Sequence, residues 1–247
     1  MTYEDVSFST TYSDKLTLRG WWIPNPKSHR ALIILHGRGD NRTVPLGLSK
    51  PLWDNGFSLL FYDMRAHGLS DGDHYSFGQR EQWDEVGAVN FLKSKGFAPS
   101  AIGAVGWSMG AASTIMAFSD TPDLKAVVSD SSYADYAQLT QSRYGSGLSG
   151  VYLPGMLVAS RLFFNVDLDQ DKPENAIKNI GQRHIFLIHG EKDDYVPVNN
   201  FNRLKVAGGT NVTESWLAPG SAHVQSFEYH PDEYIQRVVA FFDKELD

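Results

Sequence analysis

Short apolar runs alternate with amphipathic stretches along most of the chain, and this alternation predicts the fold. Ala31 to Leu35, Phe57 to Tyr62, Ala101 to Val105, Leu124 to Val128 and Ile185 to Ile188 are apolar at nearly every position. Runs of that length suit strands buried on both faces of a parallel sheet. Between them, Gln79 to Lys95 steps Trp83, Val86, Val89 and Leu92 by three, the spacing of a helix lying on a sheet. A helix near Val198 to Ala207 is closed by Gly208-Gly209. Pro231 to Leu246 places proline and two acids in a first helical turn and brings Ile235, Val238, Val239 and Phe242 to one side. A helix over about Val44 to Asn55 contains Pro45, Gly47 and Pro51, so its limits are open.

Val6 to Thr11 and Lys15 to Ile23 read as a hairpin turned by Tyr12-Ser13-Asp14 and ended by Pro24-Asn25-Pro26. Glu214 to Leu217 completes the set of strands. The expected architecture is α/β: a doubly wound, mostly parallel, eight-stranded sheet with helices on both faces, in one domain over residues 1–247.

One segment breaks the alternation. Between Val128 and Ile185 lie roughly fifty residues, far more than a simple crossover needs. A small helical cap insertion is expected at about 131–181, around the apolar stretch Leu153 to Phe164. That stretch is too short to span a bilayer and is interrupted by Pro154-Gly155 and Arg161, so packing on the domain is favoured over lipid contact.

Composition narrows the class. With 247 residues, 42% apolar and 21% charged, the chain has ordinary globular proportions. A formal charge of −7 and the lack of any basic run argue against a nucleic-acid partner. No cysteine is present, so disulfides, thiolate metal sites and cysteine nucleophiles are excluded. No helical histidine pair at i, i+4 suggests a metal, and no cofactor is expected. Met1 to Asp5 is acidic and unlike a signal peptide, which leads to the expectation of a cytoplasmic protein.

The candidate chemistry centres on Gly106-Trp107-Ser108-Met109-Gly110, which follows an apolar run and precedes the small-residue helix Ala111 to Phe118. This is G-x-S-x-G in the strand–turn–helix setting that makes it a nucleophile elbow. The glycines allow strand and helix to pass closely, and the Met109 amide opens a helix N-terminus able to stabilise a developing oxyanion. A serine hydroxyl needs a base, and the base an orienting acid. In a doubly wound hydrolase the order is serine, acid, histidine. Of the histidines after Ser108, His184 and His189 flank a strand and His230 starts a helix. His223, in Pro219 to His223 just beyond the last strand, is best placed to reach over the sheet edge. The acid belongs in the loop His189 to Pro197, where Glu191, Asp193 and Asp194 compete.

That loop, His189-Gly190-x-x-Asp193-x-x-Val196-Pro197, resembles the H-G-x-x-D-x-x-V-P of the α/β-hydrolase superfamily, and the resemblance selects Asp193. Some members place the acid one strand earlier, which makes Asp130 the alternative. His36-Gly37-Arg38-Gly39-Asp40 is similar to the family's oxyanion turn, implying that the Arg38 amide pairs with that of Met109. Arg65 to Gly72 resembles the family's R-G-x-G-x-S loop, with Ala66 where glycine is usual, and is read as structural.

The resemblance, closest to compact esterases, implies acyl transfer to Ser108 and then to water, acting on a small-molecule ester of short or medium acyl chain. Trp107, together with Met156 and Phe163 of the insertion, is the candidate substrate contact. Thioesterase, feruloyl-type esterase and peptidase chemistry use the same residues. A non-catalytic binding member of the fold is a further alternative, against which stands the presence of serine, acid, histidine and both oxyanion turns.

Overall fold

The structure, a computed structural model, describes residues 1–144, 147–168 and 172–247. Eight strands form one sheet in the order β1-β2-β4-β3-β5-β6-β7-β8. β1 (Glu4–Ser9) and β2 (Thr17–Ile23) make an antiparallel hairpin, and β2 is antiparallel to β4 (Phe57–Tyr62). Beyond β4 the sheet is parallel through β3 (Arg30–Leu35), β5 (Ile102–Trp107), β6 (Ala126–Asp130), β7 (His184–Gly190) and β8 (Val212–Ala218). Every residue of β4, β5 and β6 is buried, which is why these strands read as mostly apolar runs. β1 begins two residues before the expected Val6. It is an edge strand with mostly exposed side chains, so its limits follow from pairing, Glu4 opposite Trp22, rather than from its own pattern.

Two apolar layers close on the sheet. On one face α2 (Glu81–Ser94), α3 (Met109–Asp120) and α7 (Asn199–Gly208) contribute Val89, Leu92, Ile115, Phe118, Phe201 and Leu204. On the other, α1 (Ser49–Asp54) and α9 (Pro231–Glu245) contribute Leu52, Tyr234, Val238, Phe241 and Phe242. The expected helix over 44–55 is split into a 3-10 turn, Val44–Leu48, and α1. Pro51 has no N–H to give the carbonyl four residues back, so a continuous α-helix is not available there.

Between β6 and β7 the chain is helical: α4 (Tyr136–Tyr144), α5 (Gly147–Phe164) and α6 (Pro173–Ala176). Polar ties attach this segment to the sheet layers. Arg143 Nη1 donates to the carbonyls of Asp194 and Tyr195 at 3.0 and 2.7 Å, and Arg80 Nη2 donates to the Phe164 carbonyl at 2.7 Å. Among the described residues no helix is long and apolar enough to cross a membrane. A four-residue helix, α8 (Ser226–Tyr229), follows β8 and precedes α9.

The strand order reverses around β3, whose neighbours are β4 on one side and β5 on the other. In such sheets the crevice outside the carboxyl ends of the strands at that reversal is where ligands bind. The turns after β3 and β5 meet there.

Candidate active site

Ser108 is the hinge between β5 and α3, at φ 53° and ψ −114°. A non-glycine residue in that region carries strain of roughly 1–3 kcal/mol, held only because neighbouring elements over-determine it. They do so here at backbone distance. A Cβ on Gly106 lies 2.5 Å from the Gly110 carbonyl oxygen, and one on Gly110 lies 2.5 Å from that of His36. Any side chain at either position pushes strand and helix apart.

The structure brings Ser108, His223 and Asp193 together. His223 Nε2 lies 2.9 Å from Ser108 Oγ, and His223 Nδ1 lies 2.7 Å from Asp193 Oδ2. The Asp193 carboxylate is buried, and its Oδ1 accepts the amides of Tyr195 at 2.9 Å and Val196 at 2.7 Å. Its carboxylate plane is therefore fixed by the chain immediately following it. With Oδ2 accepting from Nδ1–H, the imidazole presents the Nε2 lone pair to the serine hydroxyl.

None of the other histidines hydrogen-bonds Ser108, although His189 Nε2 lies 3.3 Å from Asp193 Oδ2. His189 is buried, donates from Nε2 to the Val196 carbonyl at 2.8 Å, and has its pKa lowered by burial. His230 Nε2 bonds the Pro219 carbonyl at 2.8 Å, and His184 Nδ1 bonds Glu245 at 2.7 Å. Asp130 is wholly buried at the end of β6 and makes its hydrogen bond to Ser131 Oγ, at 2.9 Å, instead of to a histidine. Burial holds its carboxyl up at about 6.

The turn after β3 packs against Ser108: a Cβ on Gly37 lies 3.5 Å from Ser108 Cβ. Two histidines pin this turn. His36 Nδ1–H donates to the Gly37 carbonyl at 2.7 Å while Nε2 accepts the Met64 amide at 3.1 Å. Burial lowers the His36 pKa to about 4, so the ring stays neutral and keeps its acceptor. His67 Nε2 accepts the Gly39 amide at 3.1 Å, and its Nδ1 bonds the Arg65 carbonyl at 2.7 Å. The Arg65 to Gly72 loop thus carries a scaffold role. Arg65 is buried in a two-pronged pair with Asp84, and Ala66 takes a left-handed φ of 57° where glycine is usual in the family. The Met109 amide, first in α3, has no intrahelical acceptor, and Arg38 N–H has none among the described residues.

A cavity of about 650 Å³ opens over Ser108 and His223. Its apolar walls are Val44, Trp107, Val224 and Phe227, and its polar groups include Arg38, Asp40, Tyr195 and Glu228. Trp107 is nearly buried, and its Nε1 donates to the Tyr234 hydroxyl at 3.0 Å, so it serves the core while its edge faces the cavity. Phe163 was expected among the substrate contacts. It is instead 79% exposed, with Val158 and Leu162 of α5 also exposed, and it does not line the cavity over Ser108. The side chain of Met156 lies outside the described residues.

Sequence reasoning did not single out Tyr195, whose ring sits 4.8 Å from that of His223 and whose hydroxyl accepts from Arg38 Nη2 at 2.5 Å. Nor did it find Val224 and Phe227, one and four residues beyond His223, which line the cavity. Asp40 also went unremarked. Burial raises the pKa of its carboxyl against the pull of His67 and His223. Among the described residues, no group of three His, Asp or Glu side chains is placed to hold a metal ion.

An eight-stranded mostly parallel sheet with a serine elbow, and a histidine and carboxylate converging on it from the next loops, defines an α/β hydrolase. The X-Pro dipeptidyl-peptidase (S15) family matches residues 7–201, and the chain belongs to it. Its sequence is 26% identical to that of the uncharacterised protein YfhR of Escherichia coli K12, over 96% of this chain and 80% of that protein. Among solved structures it is similar to esterase Pf2001 of Pyrococcus furiosus, with a TM-score of 0.78 and 26% identity, covering 100% of this chain and 94% of that one. The α/β hydrolase GrgF of a Penicillium species shares the fold, with a TM-score of 0.82 at 18% identity over 100% and 99% of the two chains.

Proposed function

We propose that the protein is a serine hydrolase that cleaves carboxylic esters of short or medium acyl chain. The observation that carries this reading is the unbroken contact from Asp193 Oδ2 to His223 Nδ1 and from His223 Nε2 to Ser108 Oγ. In this mechanism His223 takes the Ser108 proton as Oγ attacks the acyl carbon, and returns it to the leaving alcohol. Asp193 holds the imidazole tautomer and stabilises the imidazolium. The amides of Arg38 and Met109 donate to the oxyanion, each typically worth about 3 kcal/mol of barrier. Water activated by His223 then frees the acid. A cavity of about 650 Å³ with apolar walls fits a small ester, and the likeness to esterase Pf2001 points the same way. We expect the segment between β6 and β7 to act as a small cap over one domain.

The test is labelling with a fluorophosphonate followed by mapping of the modified residue, then turnover of p-nitrophenyl esters. Labelling at Ser108 with acetate-to-octanoate turnover is expected, and an unlabelled Ser108 in folded protein overturns the assignment. Membership of the S15 family favours one second reading, a peptidase. Faster cleavage of an X-Pro anilide than of any ester selects it.

A further inference from the structure

Val224 lines the cavity immediately after His223 and has φ 58°. A β-branched residue in that region is a genuine outlier, because its side chain collides with its own backbone. Something must hold it. The Val224 amide donates to Ser131 Oγ at 3.1 Å, and Ser131 Oγ donates to Asp130 Oδ1 at 2.9 Å. Ser131 is itself wholly buried at φ 59°, anchored by its amide to the Ile188 carbonyl at 3.0 Å on β7. The Asp130 carboxylate is wholly buried, with the Tyr234 hydroxyl beside it. The mechanism proposed above uses neither Asp130 nor Ser131.

We infer that Asp130 and Ser131 are positioning residues: a tether from the end of β6 that holds Val224 in its strained conformation and so sets the His223 imidazole at hydrogen-bond distance from Ser108. The inference rests on the proposed role of His223. The tether runs from the rigid sheet, through a hydroxyl that can donate to only one acceptor, to the one amide adjoining the histidine. Directed into Asp130 Oδ1, that hydroxyl leaves a lone pair for Val224 N–H, so the carboxylate orients the hydroxyl and the hydroxyl orients the loop. Without it, Val224 relaxes toward negative φ and carries the adjoining imidazole with it. A displacement of about 1 Å at a reacting group costs on the order of a hundredfold in rate.

The experiment compares Ser131→Ala, Asp130→Ala, Asp130→Asn and the double variant Ser131→Ala/Val224→Gly with the unmodified protein. The readouts are kcat and KM for p-nitrophenyl butyrate, the rate of Ser108 labelling by a fluorophosphonate, and Tm. Ser131→Ala and Asp130→Ala are expected to lower kcat and labelling about 10- to 100-fold with KM nearly unchanged. Asp130→Asn, which keeps the acceptor for Ser131, recovers most of what Asp130→Ala loses. Glycine at 224 holds positive φ without a tether, so the double variant regains activity over Ser131→Ala alone. Unchanged kcat and labelling in folded Ser131→Ala overturn the inference, as does a loss in Asp130→Asn equal to that in Asp193→Asn. Absence of labelling in the unmodified protein instead overturns the nucleophile assignment. In that case a crystal structure of Ser131→Ala still decides, since an imidazole unmoved from Ser108 overturns the tether. Should Ser131→Ala not fold, the Asp130 pair carries the same comparison.

Discussion

Replacing Asp193 by asparagine tests the proposed mechanism where the structure makes the sharpest demand. The side chains are nearly isosteric, so the carboxamide occupies the same site and must choose an orientation. At the Oδ1 position stand two backbone donors, the amides of Tyr195 at 2.9 Å and Val196 at 2.7 Å. An NH2 group there faces two N–H groups with no acceptor, in a buried setting where each unmade hydrogen bond costs about 1–3 kcal/mol. The carboxamide oxygen therefore stays with the backbone, and the NH2 takes the Oδ2 position, 2.7 Å from His223 Nδ1. A donor at that point makes Nδ1 the acceptor and moves the ring proton to Nε2. The imidazole then offers Ser108 a hydrogen where it needs a lone pair, and the negative charge that stabilises the imidazolium is gone as well.

A wrong tautomer in such a triad lowers kcat about 10⁴-fold, equivalent to about 5 kcal/mol of barrier. The assay is kcat for p-nitrophenyl butyrate at pH 7.5, about one unit above the usual histidine pKa, paired with the rate of fluorophosphonate labelling. Circular dichroism and Tm check that the fold is kept. A loss of less than about thirtyfold in folded protein refutes the argument, because it leaves less than about 2 kcal/mol for tautomer and charge together.

Other expectations concern the same strand ends and the core behind them. Gly106→Ala brings a methyl to 2.5 Å from the Gly110 carbonyl oxygen, so a loss of about 3 kcal/mol or more is expected in urea unfolding, and an unchanged midpoint contradicts the close approach. Asp40→Asn removes a carboxylate beside the oxyanion turn; kcat for neutral esters is expected to rise severalfold, and a fall shows that the carboxylate assists turnover. Glu85 is buried in α2, and burial raises its pKa to about 8 against the opposing effect of the Thr114 hydroxyl. An acid raised in this way is neutral and harmless below its unfolded pKa, and folding stability falls as pH climbs from about 4.5 to about 8. Glu85→Gln is expected to flatten that decline, by up to roughly 5 kcal/mol above pH 8, and parallel unfolding curves for the two proteins from pH 5 to pH 9 contradict it.

The fold is legible in the sequence wherever burial is symmetrical. β3 to β7 carry apolar residues on both faces, so their runs give limits to within one or two residues. β1 is less legible because pairing with β2, a non-local event, decides where it starts. Of the candidate site, Ser108 is read from its glycines and His223 from its place after β8. Asp193 is different. Its loop offers three acids, and what distinguishes Asp193 is a turn in which its Oδ1 accepts two amides, a property of backbone geometry that spacing alone does not express. The same holds for Ser131 and Val224, whose left-handed conformations no residue type announces. Phe163 is exposed and outside the lining of the cavity, a placement that its apolar residue type alone does not announce.

Three carboxyl groups act on His223, and their surroundings separate their roles. Asp193 has Oδ1 held by two amides and Oδ2 on the ring, so its negative charge is solvated by the protein and directed at Nδ1. Asp130 is sealed behind Ser131, and burial keeps its carboxyl at about 6. Asp40 sits on the turn that faces the oxyanion, half-buried and likewise raised by burial. In the proposed mechanism each favours the imidazolium that would form as Ser108 attacks, since opposite charge nearby stabilises the charged ring. Their effects on the oxyanion differ, because a carboxylate beside the oxyanion donors opposes the charge developing there, while one on the far side of the imidazole opposes it less. Placing the hydrogen-bonded carboxylate behind the ring, at Asp193, therefore gains stabilisation of the imidazolium at the smallest cost to the oxyanion. Asp40 is the one acid whose position sets these two effects against each other, and so the one where exchanging charge for a neutral amide is expected to speed the reaction.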